Sequence, residues 1–160
     1  MKILVRLTAA AIPAMLLAAS ALADPIPGLS GYWSGSGSIA LSNGKTERVK
    51  CQVLYRSESA GHISQTMRCA SADYNINSLA ELTVSGSKVS GTWEEKTYSA
   101  KGAVDGRYGG DTFSLSIQGA NFTASMSVTL SNCRQSVTIT PSGLEVSRIS
   151  ITLAKQRCGG

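Results

Sequence analysis

Val49-Lys50-Cys51-Gln52-Val53-Leu54-Tyr55, then Ser57-Glu58-Ser59-Ala60-Gly61, then Ile63-Ser64-Gln65-Thr66-Met67-Arg68-Cys69 reads as two strands and the turn between them. In the first heptapeptide the odd positions are apolar and most even ones polar, the period of a half-buried β-strand. The third segment again places its apolar residues at odd positions, and the small polar residues between the two are turn formers. If Tyr55 faces Gln65 across this hairpin, Val53 faces Met67 and Cys51 faces Cys69. Directly opposed residues of an antiparallel pair approach the Cα separation that a disulfide requires. A Cys51–Cys69 bridge is therefore expected, which leaves Cys133 with Cys158 to tie the C-terminal tail. The four cysteines contain no C-x-x-C and the chain has one histidine, His62. The paired spacing of a structural zinc site is missing.

The same alternation recurs on both sides of the hairpin. Trp33, Gly35, Gly37, Ile39 and Leu41 alternate with small residues and run into Ser42-Asn43-Gly44-Lys45, a tight-turn signal. Tyr74 to Val84 is a less regular strand. Ser85-Gly86-Ser87 follows, then Val89, Gly91 and Trp93 on one face. Tyr98 to Val104 forms a short strand, and Asp105-Gly106-Arg107-Tyr108-Gly109-Gly110-Asp111 reads as a Gly-rich loop. Phe113, Leu115 and Ile117 form the next strand. Phe122, Ala124, Met126, Val128 and Leu130 then alternate against an almost uncharged, hydroxyl-rich face. Val137 and Ile139 precede a turn at Pro141-Ser142-Gly143. In the last strand Leu144 and Val146 are even while Ile149, Ile151 and Leu153 are odd, a phase change that predicts a β-bulge near Ser147-Arg148. About ten short strands with brief connections leave no room for crossover helices, so the expected class is all-β, an antiparallel meander. A long meander removes its edges by closing, which favours an up-and-down barrel of eight to ten strands over a two-sheet sandwich. An outer-membrane barrel would need longer strands with aromatic girdles.

Residues 1–23 carry Lys2 and Arg6, an apolar run from Leu7 to Leu17 broken by Pro13, and the small-residue site Ala21-Leu22-Ala23. This pattern is that of a secretory signal peptide cleaved after Ala23, too short to span a membrane. It leaves 24–160 as one domain, periplasmic or secreted. No cysteine stands at position 24 for lipid attachment. Of 15 basic residues, 13 remain without Lys2 and Arg6, against 10 acidic ones, a net charge of +3. Lys45, Arg48, Lys50 and Arg56 form one basic group and Lys155 with Arg157 another, read as solvated faces. An oxidising compartment favours bridged cysteines.

The motif search excludes more than it assigns. Gly35-Ser36-Gly37-Ser38-Ile39-Ala40 fits G-x-G-x-x-A, but a dinucleotide fingerprint needs a strand before it and a helix after it. The two glycines are expected instead to permit curvature or close packing against Trp33. Glu94 and Glu95 are strand neighbours pointing to opposite faces, so they cannot form a glycosidase pair. A Ser-His or Cys-His nucleophile would have to use His62, which lies at a predicted turn. Asp105 and Asp111 lack the dense oxygen spacing of a calcium loop. Asn121-Phe122-Thr123 fits a glycosylation pattern by accident. Ser30-Gly31-Tyr32-Trp33 and Ser90-Gly91-Thr92-Trp93 share S-G-x-W, a hint of duplication. A charge of +3 without interleaved aromatics excludes a nucleic-acid partner. No metal, cofactor, catalytic residue or membrane span is expected, and the chain is read as a non-enzyme.

Gly31-Tyr32-Trp33 at the start of the first strand resembles the G-x-W signature of calycin-type barrels, the lipocalin and avidin group. That resemblance implies a tryptophan at the closed end of the barrel with an arginine from a late strand packed over it, Arg134 or Arg148 here. Ser30 to Gly37, Asn43-Gly44, Lys50-Cys51 and Arg68-Cys69 together are similar to small exported alphaproteobacterial proteins of unassigned function. That similarity implies no activity. Trp33, Trp93, Gly35, Gly37 and Arg148 are the expected structural residues. The ligand-binding residues are not legible. Two roles follow: a barrel that binds a small apolar or amphipathic ligand, or an envelope-associated interaction or inhibitor protein with a filled core. An apolar cavity of several hundred cubic ångströms would favour the first.

Overall fold

The computed structural model describes residues 26–158; the signal peptide read in residues 1–23 lies outside the described residues. Ten strands follow in order: β1 Gly31–Leu41, β2 Thr46–Ser59, β3 His62–Ala70, β4 Asn75–Ser85, β5 Lys88–Glu95, β6 Ala100–Gly109, β7 Thr112–Gly119, β8 Thr123–Ser131, β9 Arg134–Ser142 and β10 Val146–Lys155. Each pairs antiparallel with its neighbours in sequence, and β1 pairs with β10 to close the ring. The result is one closed barrel and not a two-sheet sandwich. Among the described residues no helix is long and apolar enough to cross a membrane.

The hairpin register is the one expected from periodicity, with Tyr55 opposite Gln65, Val53 opposite Met67 and Cys51 opposite Cys69. The bulge lies where the phase changes: β1 residue Ala40 faces Arg148 and Leu41 faces Val146, so Ser147 is the extra residue. Two segments differ from the sequence reading. Asp105 to Gly109 is not a loop but the second half of β6, paired with β7 throughout and with β5 as far as Arg107, because Gly106 and Tyr108 keep the inward phase of Val104. The turn is only Gly110-Asp111, where both residues have positive φ. Pro141 likewise belongs to β9, opposite Ala124.

Inward residues of all ten strands form a single core, including Ile39, Val53, Val89, Val104, Val128 and Leu153. At several points around the ring, inward glycines stand where the neighbouring strand's backbone comes too close for a Cβ. A Cβ on Gly35 or Gly37 would collide with the β10 carbonyl oxygens of Thr152 or Ser150. These glycines therefore accommodate the β10 backbone, rather than Trp33, at the seam where the barrel closes. Gly102 and Gly106 do the same in β6 against Gln118 and Ser114, five places around the ring from β1.

Candidate functional site in the barrel lumen

One end of the lumen is closed by residues preceding β1. Ile26 and Leu29 are fully buried, and a turn joins them through a Leu29 N–H to Ile26 carbonyl bond of 3.1 Å. Trp33, also fully buried, donates its indole N–H to the Leu29 carbonyl at 2.8 Å. Lys155 at the end of β10 places Nζ 5.6 Å from the Trp33 ring centroid and 2.7 Å from the Gly28 carbonyl. The ammonium thus satisfies a plug carbonyl while lying over the ring. This corrects the expectation of Arg134 or Arg148 in that place. Arg148 is exposed, opposite Ala40 on the outward phase, with Nε 3.4 Å from Ser150 Oγ. Arg134 pairs across from Ser131 and Ala154 and is exposed. Of these three cations, Lys155 alone combines the inward phase with the level of Trp33, its direct cross-strand partner.

Beside the plug lies a cavity of about 50 Å³ lined mostly by apolar side chains, among them Leu29, Leu82, Trp93, Phe113 and Met126. Two polar residues, Tyr55 and Gln65, line the same space. Gln65 Nε2 donates to the Tyr55 hydroxyl at 3.1 Å, and that hydroxyl donates to Gln135 Oε1 at 3.3 Å. The chain of three crosses from β3 through β2 to β9. Burial pushes the Tyr55 hydroxyl pKa above its ordinary value, against the two glutamine hydrogen bonds, so the phenol stays protonated. Gln135 is fully buried, and its Nε2 has no hydrogen-bond partner among the described residues.

The remaining expected residues are placed as follows. Trp93 packs edge-on against Phe122, with centroids 5.8 Å apart, and is half-buried where Trp33 is not. The two S-G-x-W tryptophans therefore occupy different levels of the barrel. Cys51–Cys69 is a disulfide between directly opposed residues, with Cα atoms 4.1 Å apart. Cys133–Cys158 is a second, with Cα atoms 5.7 Å apart, and it ties the tail to the β8–β9 turn. His62 is exposed at the start of β3, 3.3 Å from Thr83 Oγ1. Asp105 faces outward from β6, away from the turn that holds Asp111. Glu94 and Glu95 do point to opposite faces. Glu95 is buried, and its carboxylate accepts the backbone N–H of Asn77 at 2.7 Å and of Tyr98 at 2.6 Å.

Sequence reasoning missed the plug, Glu95 and the Tyr55–Gln65–Gln135 chain. The signal for the polar residues is their phase. Glu95 continues Val89, Gly91 and Trp93, and Gln135 continues Val137 and Ile139 backwards. Two larger grooves lie on the outside. One of about 460 Å³ runs over the outward hydroxyls of β7, β8 and β9, including Ser114, Ser127 and Thr138. One of about 360 Å³ lies between Arg68, Asn77 and Lys96.

No family model and no curated protein matches the chain. Solved structures do. The crystal structure of Rv2717c from M. tuberculosis is 13% identical, with a TM-score of 0.68 over 86% of this chain and 100% of that one. The S-type phycobiliprotein lyase CPES from Guillardia theta is 11% identical, with a TM-score of 0.60 over 82% of this chain and 90% of that one. The likeness is one of fold.

Proposed function

We propose that this chain is exported and acts outside the cytoplasm as a non-enzymatic barrel that takes a small apolar or amphipathic molecule into its lumen. The observation that carries this reading is an otherwise apolar lumen space with two polar side chains, Tyr55 and Gln65, hydrogen-bonded to each other at its wall. An apolar pocket with a few converging polar groups is the usual form of a small-molecule site. Export is supported by the leader sequence and by two disulfides, the state an oxidising compartment favours. The non-enzymatic reading rests on the lack of a nucleophile–base pair among the described residues, since the one histidine stands outside beside Thr83. The cavity is small, so the ligand is either compact or enters as the half-buried Leu82, Trp93 and Met126 turn aside.

The alternative, an envelope-associated interaction or inhibitor protein, is favoured by one observation. The lumen offers about 50 Å³ while an outer groove offers about 460 Å³. Native mass spectrometry of protein purified from its own host separates the two. A co-purifying small molecule supports the lumen reading, and a bare barrel that brings down a protein partner rejects it. Intact mass under non-reducing conditions is expected to show cleavage after Ala23 and two bridges; four free thiols or a retained leader would refute export.

A further inference from the structure

We propose that the outer groove between β3, β4 and the β5–β6 turn is a second binding site, independent of the lumen, for a phosphomonoester carried on a hydroxylated body such as a sugar. The groove measures about 360 Å³ and is lined by Thr66, Arg68, Asn77, Leu79, Lys96 and Thr97 among others. Thr66 and Arg68 take the outward phase of β3, and Asn77 and Leu79 that of β4, because Cys69 and Ser78 with Ala80 hold the inward positions. Arg68 and Asn77 are directly opposed. The facing turn is pinned to β4. Lys96 donates its backbone N–H to the Asn77 carbonyl at 2.8 Å, the Asn77 side-chain amide donates to Thr97 Oγ1 at 3.0 Å, and the Glu95 carboxylate holds the Asn77 and Tyr98 N–H groups. Arg68 and Lys96 therefore stand on either side of Asn77, and a wall already fixed lowers the ordering cost of binding.

Charge selects the ligand. Arg68 and Lys96 are exposed, and neither side chain has an ion pair or hydrogen bond among the described residues. No carboxylate lines the groove. Glu95 is buried behind its wall with its oxygens taken by the two N–H groups, and Glu94 points outward on β5 as the cross-strand partner of Lys101. The basic character continues onto β2, where Gln52 faces Arg68 and Lys50 is the next outward residue. A phosphomonoester carries a charge of about −1.5 to −2 near pH 7 on three terminal oxygens, enough to engage both cations. A carboxylate brings one charge and two oxygens, which the planar Arg68 fork satisfies alone, leaving Lys96 unmatched. The remaining polar groups are the Thr66 and Thr97 hydroxyls and Asn77 Oδ1, partners for hydroxyl groups and not for an acyl chain.

The test uses the processed protein with both bridges intact and four probes: glucose 6-phosphate, glucose, glucuronate and inorganic phosphate. NMR at low salt follows the backbone amides of Arg68, Asn77, Lys96 and Thr97. Glucose 6-phosphate is expected to shift them saturably, glucose to leave them still, and glucuronate and inorganic phosphate to bind about fivefold more weakly. Arg68→Gln and Lys96→Gln should each weaken the sugar phosphate about fivefold, the worth of one exposed charge pair. Lys45→Gln makes the same charge change outside the groove and should leave the affinity unchanged. Amides that stay still with glucose 6-phosphate would overturn the site. An equal loss in Lys45→Gln would reduce it to the net charge of the surface and reject it. Glucuronate binding as tightly would refute the two-cation pairing, and inorganic phosphate binding as tightly would refute the hydroxylated body. Phosphatidic acid vesicles present the same phosphomonoester on a membrane; if they sediment the protein while the free sugar phosphate leaves the amides still, the ligand is a lipid headgroup and the assignment falls. None of these outcomes touches the lumen reading, which the co-purifying molecule decides.

Discussion

The two ends of the barrel use the same ten strands but are finished by different parts of the chain. At one end the segment before β1 and the tail after β10 meet over Trp33, with Ile26 and Leu29 buried beneath them. The tail there is held by Cys133–Cys158, by Lys155 N–H to the Cys133 carbonyl and by Gln156 N–H to the Tyr32 carbonyl. At the other end only hairpin loops close over the strands, and inward residues such as Leu41, Trp93, Phe122 and Ile149 remain half-buried. Short loops between paired strands are too tight to fold inward, so sealing a barrel end falls to segments free of the strand ladder. Here the two chain ends supply them.

The largest expected effect tests whether the ends differ in packing. Trp33→Ala should lower unfolding stability by about 3–5 kcal/mol, the range for removing a fully buried large side chain. Trp93→Ala should cost at most about half of that, in proportion to the smaller area it hides. Urea unfolding of the two variants measures both, and equal losses would mean that the ends are sealed alike.

A second effect separates the two bridges. Removing Cys133–Cys158 by paired serine substitution should cost about 2–4 kcal/mol and speed amide exchange at Lys155 and Gln156. Removing Cys51–Cys69 should cost a similar amount, since the sequence separations are 25 and 18. It should leave exchange at the plug unchanged, because those strands stay paired without the sulfurs. Hydrogen exchange that rises at the plug in both variants would show that the ends are not independent.

The smallest effect concerns the cation over the ring. Lys155→Met should cost about 0.5–1 kcal/mol, and Arg148→Ala should fall within about 0.5 kcal/mol of the parent. The reverse ranking in thermal unfolding would return the late-strand role to the arginine.

How much of this was legible follows from one physical fact: strand periodicity reports the direction of a side chain and little else. Direction alone was enough for the meander, for the bulge at Ser147 and for the opposition of Cys51 to Cys69, because each is a matter of phase. It was not enough for the plug, since Ile26 and Leu29 lie in a turn with no period. It also misjudged Asp105 to Gly109, where glycines suggested a loop although the inward phase ran on through Gly106 and Tyr108. The lumen residues were hidden by chemistry rather than geometry. Gln65, Glu95 and Gln135 occupy inward positions, but a polar residue in an apolar phase reads as an interruption until its partner on a distant strand is known. Gln135 meets Tyr55 80 residues away in sequence. The Trp33 cation was misplaced for a similar reason, since Lys155 stood in what looked like a solvated tail.

The β1–β10 seam has a consequence for how the chain reaches this shape. Every other strand pair is a hairpin whose partners lie side by side in sequence, but the seam joins Trp33 to Lys155. Hairpins with short loops form in about 1–10 μs, while pairing between distant segments carries a far larger entropic cost. As the polypeptide is synthesised, β1 emerges first and keeps one bare edge until the last strand arrives. That waiting edge is where misassembly with a second chain would begin, and Gly35 and Gly37 sit on it, where a Cβ would collide with the β10 backbone that finally covers it.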